Sequence, residues 1–185
     1  MKPLQRTDVL SELAARQRSR HRLQQPVAII GPRDATEVQI EAAYRIAFAL
    51  ACAGVSLVCG GKIGVMEAAA RAAQDAGGIC IGLLPEDEAS FASPFLTVAL
   101  PTGMGLSRNM LVARTAVCLV AVGGSLGTVS EMAMGLQWGK PVFAMQGAPD
   151  LPGAQGFADE SALVEAASRW LLNHQMPSGQ TDLGG

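Results

Sequence analysis

From Val27 onward the chain repeats one rhythm: a short apolar, β-branched run, a glycine-containing turn, then a stretch with apolar residues at helical spacing. The first run, Val27–Ile30, ends at Gly31-Pro32-Arg33-Asp34. Thr36 with Gln39 three residues on has the form of a capping box. The helix it opens should bury Ile40, Ala43, Ala47 and Leu50 and stop at Gly54. Further strands are expected at Val55–Val58, Ile79–Leu84, Phe95–Leu100, Val117–Val122 and Val142–Met145. Helices are expected at Val65–Ala76, Ser107–Thr115, from the 123–128 turn to Trp138, and Ala158–Asn173, with a surface loop over 147–156.

Strands apolar throughout and separated by helices indicate a parallel sheet covered on both faces. Right-handed crossovers make this α/β, a Rossmann-like doubly wound parallel sheet in three α/β/α layers, as a single domain. The domain is expected over 26–175, after a basic arm or short helix at 1–25 and before a flexible tail at 176–185.

Composition narrows the function. With 185 residues and 16% charged, the chain has the length and apolar content for one deep core. A net charge of −2 and 4% aromatics argue against nucleic acid as a partner. No apolar run spans a membrane, and the Arg-rich start lacks the apolar core of a secretory signal, so a cytoplasmic protein is expected. Cys52, Cys59, Cys80 and Cys118 are widely spaced and read as reduced packing residues. The only histidines, His21 and His174, lie near opposite ends, which argues against a histidine zinc site or a Ser-His-Asp triad; no metal is expected.

The chemistry concentrates in three turns that follow strands. Gly123-Gly124-Ser125-Leu126-Gly127-Thr128 joins the most apolar strand to a helix, where glycines admit a ligand close to backbone N–H groups at the positive helix end. A phosphate suits such a place, although the same glycines also serve a plain tight turn. Gly60-Gly61-Lys62-Ile63-Gly64 is a second such turn and is not a P-loop; Gly31 marks the third. Glu131 has two readings: a capping-box partner of Thr128, or a carboxylate facing the ligand's sugar. Arg108 is read as a phosphate clamp or a surface ion pair, and Asn109 as a ligand donor or a helix cap. Lys62 is either charge at the pocket mouth or a solvated loop lysine. The basic 16–22 run is read as a solvated helix face.

In this order the segments resemble the LOG-like (Lonely Guy) and molybdenum cofactor carrier-like family of the Smf/DprA–LOG Rossmann superfamily. Gly123 to Glu131 is similar to the hallmark Pro-Gly-Gly-x-Gly-Thr-x-x-Glu, Gly105 to Asn109 to the preceding Gly-x-x-x-Arg-Lys, and Gly60 to Glu67 to an earlier Gly-Gly-x-x-Gly-x-Met segment. The chain departs from the phosphoribohydrolases at Gly123 (their Pro), Ser125 (their Gly) and Asn109 (their Lys).

The resemblance implies a homodimer, which apolar helix content at 64–73 and 110–117 also suggests. It leaves two activities open. In one, the protein carries or senses a small phosphorylated ligand, a nucleotide or molybdopterin-type cofactor, and requires no cofactor of its own. The ligand-contacting residues are then Gly31, Gly60, Gly61, Gly64, Arg108, Asn109, Gly123, Gly124, Ser125, Gly127 and Thr128. In the other, it is a phosphoribohydrolase of nucleoside 5′-monophosphates, with Arg108 fixing the phosphate and Glu131 stabilising the oxocarbenium. The retained Arg108 and Glu131 favour the hydrolase, and the missing Lys and Pro favour the carrier.

Overall fold

The computed structural model describes residue 4 and residues 7–174; the expected tail at 176–185 lies outside them. The elements run α1 (Asp8–Gln17), β1 (Val27–Ile30), α2 (Glu37–Cys52), β2 (Leu57–Cys59), α3 (Val65–Asp75), β3 (Cys80–Leu84) and β4 (Val98–Pro101). After a 3-10 turn at Gly105–Ser107 come α4 (Arg108–Thr115), β5 (Leu119–Val122), α5 (Leu126–Gln137), β6 (Val142–Met145), β7 (Gln155–Gly156) and α6 (Glu160–Asn173). They build one domain around a seven-stranded, wholly parallel sheet of order β4-β3-β2-β1-β5-β6-β7. The chain works outward from β1 in one direction and from β5 in the other, so the order reverses between them. Crevices in such sheets open there, beyond the strand C-termini.

Strand residues alternate between two cores, as their period of two requires. Val27, Ile29, Val120 and Val122 join the core under α1, α2, α3 and α6. Ala28, Ile30, Leu119 and Ala121 join the one under α4 and α5. The Thr36–Gln39 capping box forms with both of its hydrogen bonds. Ala43, Ala47 and Leu50 are buried, but Ile40 is 39% exposed, because it faces an open groove between α2 and α3. The 147–156 loop ends in the two-residue strand β7, and α6 begins at Glu160 because Asp159 caps it, accepting from Ala162 N at 2.8 Å.

The end of the sheet opposite the crevice is fastened by two cations. Lys140 Nζ donates to the carbonyls of Ala113, Arg114 and Ala116, closing the C-terminus of α4. Arg16, on α1, donates to Leu171 O and Leu172 O at 2.8 Å and to His174 O at 2.9 Å, closing α6. The basic run therefore contributes a cross-domain clasp, not just a solvated face. Leu10, Leu13 and Ala14 place α1 in the common core.

Candidate functional site

Arg108 opens α4 directly after the 3-10 turn, and its side chain turns inward, leaving the residue 5% exposed. Glu131, on α5, is 6% exposed and brings Oε1 to 3.8 Å from Arg108 Nη1. Burial pushes the Glu131 carboxyl up to about 7, with the positive charge of Arg108 pulling the other way. Burial likewise lowers the Arg108 guanidinium, and Glu131 opposes that shift. The guanidinium lies on the backbone of Gly60: a Cβ there would run into both of its terminal nitrogens and the Met66 sulfur. Arg108 Nε is buried and has no hydrogen-bond partner. A buried cation with an unspent donor, set against a bare glycine, is chemistry for an anion.

Burial and hydrogen bonding bear on the readings left open by sequence. At this burial Arg108 is no surface ion pair. The cap of α5 is Ser125, whose Oγ accepts from Thr128 N at 3.3 Å and lies 3.1 Å from Thr128 Oγ1. Glu131 sits more than a turn further on, so its carboxylate caps nothing. Asn109 Nδ2 donates to Ser130 Oγ at 3.1 Å, and Ser130 Oγ donates to Gly127 O at 2.7 Å. The side chain that replaces the motif lysine thus ties α4 to the first turn of α5. Lys62 is spent on Glu86 Oε1 at 2.7 Å and lies 5.0 Å over the Phe91 ring.

The three turns meet at the C-terminal edge of the sheet. Gly31 packs on Val122 O and Val65, and Gly64 on the Pro32 and Arg33 carbonyls. Gly61 packs on Gly82 and Leu84, Gly124 on Pro149, and the Asn109 amide nitrogen lies 3.4 Å from where a Gly127 Cβ would stand. Gly123 has φ +66 and donates its N–H to Met145 O at 3.0 Å. Proline supplies neither that φ nor that donor, so the glycine in the place of the motif proline fits the turn built here.

Sequence reasoning missed Ser130 and the far side of Gln39, whose Nε2 donates to Gln146 O at 3.0 Å. It also missed that Cys59 and Cys80 face each other below the second turn, sulfurs 3.9 Å apart, with Gly61 N donating to Cys59 Sγ at 3.3 Å.

The order of turns, the buried Arg–Glu pair and the reversal between β1 and β5 are accompanied by a match of residues 24–171 to the SLOG cluster4 family model. The chain belongs to the SLOG cluster4 family. This SLOG cluster4 chain is 34% identical over 120 residues to an uncharacterized protein of Archaeoglobus fulgidus, covering 65% of this chain and 79% of that one. It is similar in structure to the molybdenum cofactor binding protein of the phototrophic bacterium Rippkaea orientalis (TM-score 0.75, 28% identity, 80% of this chain and 99% of that one). It is also similar to the molybdenum cofactor carrier protein of Chlamydomonas reinhardtii (TM-score 0.72, 31% identity, 82% and 100%). DNA processing protein A of Helicobacter pylori, at 20% identity over 91% of this chain and 95% of that one, shares the fold with a TM-score of 0.64.

Proposed function

We propose that this SLOG cluster4 protein is a carrier or sensor that binds a phosphorylated ligand of molybdopterin or nucleotide type at the C-terminal edge of its sheet. The observation that carries the reading is Arg108: a guanidinium 5% exposed, resting on Gly60, with its Nε unpartnered. The capped N-terminus of α5, tied to α4 by Asn109 and Ser130, adds backbone N–H groups and the positive helix end. Such a set fits the phosphate of either ligand, and the likeness to molybdenum cofactor carriers supports the pterin type. Protein isolated from its native host, denatured and oxidised, should release a fluorescent pterin in amounts approaching one per chain. Release of nucleotide alone would redirect the reading to nucleotides, and binding of neither pterin nor AMP would overturn it.

A second reading, hydrolysis of nucleoside 5′-monophosphates, is favoured by Glu131. Its buried carboxylate, 3.8 Å from Arg108 Nη1, is placed to answer positive charge developing on a sugar. Free base released from AMP by the pure protein, and lost on Glu131→Gln, would establish it. Single-stranded DNA has less support, given a net charge of −2 and 4% aromatics.

The protein is further expected to be a homodimer. The apolar run over 64–73 goes largely into the core of one chain and does not itself supply an interface. The exposed apolar residues Val38, Ile40 and Ile63 remain, with a groove of about 430 Å³ between α2 and α3 lined by Ile40, Tyr44 and Phe95. Sedimentation equilibrium should give twice the chain mass, and a monomer at tens of micromolar, roughly where obligate dimers persist, would contradict this.

A further inference from the structure

We propose that Gln39 is a positioning residue for the anion-binding turn after β5, one amide fastening the loops that follow β1, β5 and β6. The inference rests on that turn being the phosphate site. The oxygen end of the amide is fixed within the capping box: Gln39 Oε1 accepts from Thr36 N at 3.0 Å, while Thr36 Oγ1 accepts from Gln39 N at 3.3 Å. The nitrogen end reaches across the sheet edge, Nε2 donating at 3.0 Å to the carbonyl of Gln146, the residue after β6. Gln146 has φ +53, which makes it the non-glycine with positive φ among the described residues. Left-handed backbone is costly for a residue with a Cβ, so this loop needs fastening from outside.

Between these two ends lies Gly123. A Cβ on Gly123 would collide with the Gln39 amide, and its N–H is held by Met145 O at 3.0 Å. The start of the turn is thus packed against the Gln39 amide on the α2 side and hydrogen-bonded to Met145 on the β6 side. Two residues later Ser125 caps α5, so the direction of the α5 N–H groups follows from where Gly123 is held.

Helix capping alone does not account for the residue. Glutamate completes a capping box as well as glutamine does, but only an amide has an N–H to give Gln146. Asparagine, shorter by one methylene, does not span both partners. Position 39 requires an acceptor and a donor at the tip of one long side chain.

Gln39→Glu separates the two duties. It keeps the acceptor for Thr36 N and sets a carboxylate oxygen against Gln146 O. Thr36→Ala does the reverse, weakening the cap and leaving the clamp. Gln39→Met, neutral and of similar length, separates the lost donor from the added charge. The readouts are Tm, affinity for AMP, and amide hydrogen exchange at residues 123–128. In Gln39→Glu and Gln39→Met we expect AMP affinity to fall about tenfold, equivalent to ~1.4 kcal/mol, and the 123–128 amides to exchange faster. Thr36→Ala should lower Tm with AMP affinity and 123–128 exchange unchanged. Unaltered exchange at 123–128 in both Gln39 variants would overturn the proposal, whether or not the wild type takes AMP. Altered exchange beside a wild type that binds neither AMP nor pterin would leave Gln39 as the fastener and remove the phosphate reading instead.

Discussion

Arg108 Nη1 and Glu131 Oε1 stand 3.8 Å apart, each on a side chain less than one-tenth exposed, and the two groups oppose each other's shift in proton affinity. The gap is too long for a tight hydrogen bond. The guanidinium is therefore oriented by the carboxylate without being used up by it.

Substituting each member gives different results. Arg108→Ala removes a charge-assisted contact and should weaken AMP or pterin binding by roughly 1.5–3 kcal/mol. Glu131→Gln keeps the size of the side chain and removes the nearby negative charge, so binding should persist or tighten by calorimetry. In a hydrolase the same change abolishes base release by orders of magnitude, because the carboxylate acts on charge present only in the transition state. Weaker binding in Glu131→Gln would contradict both readings of this residue.

The same carboxyl makes stability depend on pH. Its value in the folded protein is about 7, above the ordinary 4.5, so the folded state holds the proton more tightly than the unfolded chain. The stability this contributes is full below about 4.5 and is lost as pH rises from there to about 7, on the order of 1.36 kcal/mol per pH unit across that window. Urea unfolding at pH 5, 6.5 and 8 should show the wild type losing stability relative to Glu131→Gln. A constant difference across those pH values would mean that Glu131 titrates normally.

Gly60→Ala tests whether the guanidinium needs a bare backbone beneath it. The added methyl meets both terminal nitrogens of Arg108 and the Met66 sulfur. These are side-chain ends that can move, so the fold should survive with a loss of about 1 kcal/mol, a usual size for a single change. Anion affinity should drop at least tenfold, about 1.4 kcal/mol, and unchanged affinity would show that anion binding does not need the bare backbone of Gly60.

Gly123→Pro would restore the hallmark motif in sequence and should damage the protein. Proline cannot adopt φ +66 and has no N–H for Met145 O. A loss of ~3 kcal/mol or more is expected in chemical unfolding. A neutral effect would show that the turn relaxes readily into the proline-bearing form.

How far the sequence reached depended on the range of each signal. Val27–Ile30 and Val142–Met145 coincide with observed strands because a strand buried on both faces leaves an unbroken apolar run. The Thr36–Gln39 box was legible because both of its bonds close within three residues. Strand β7, Gln155–Gly156, has too few side chains to carry a pattern. Glu131 was ambiguous because its spacing from Thr128 fits a cap as well as a pocket, and only the start of α5 at Leu126 separates the two. The bonds from Gln39 to Gln146 and from Arg16 to Leu171 join residues more than a hundred apart, and nothing local to either residue announces them.

The clasps made by Arg16 and Lys140 have a consequence for how this protein can change. Both lie at the sheet end away from the crevice and bind helix C-termini. On the proposed binding reading, cohesion and recognition sit at opposite poles of the same strands. Glycines, caps and polar side chains at the crevice can be exchanged in succession while the far pole keeps the helices in place. One scaffold can pass between ligands in this way without passing through an unfolded ancestor.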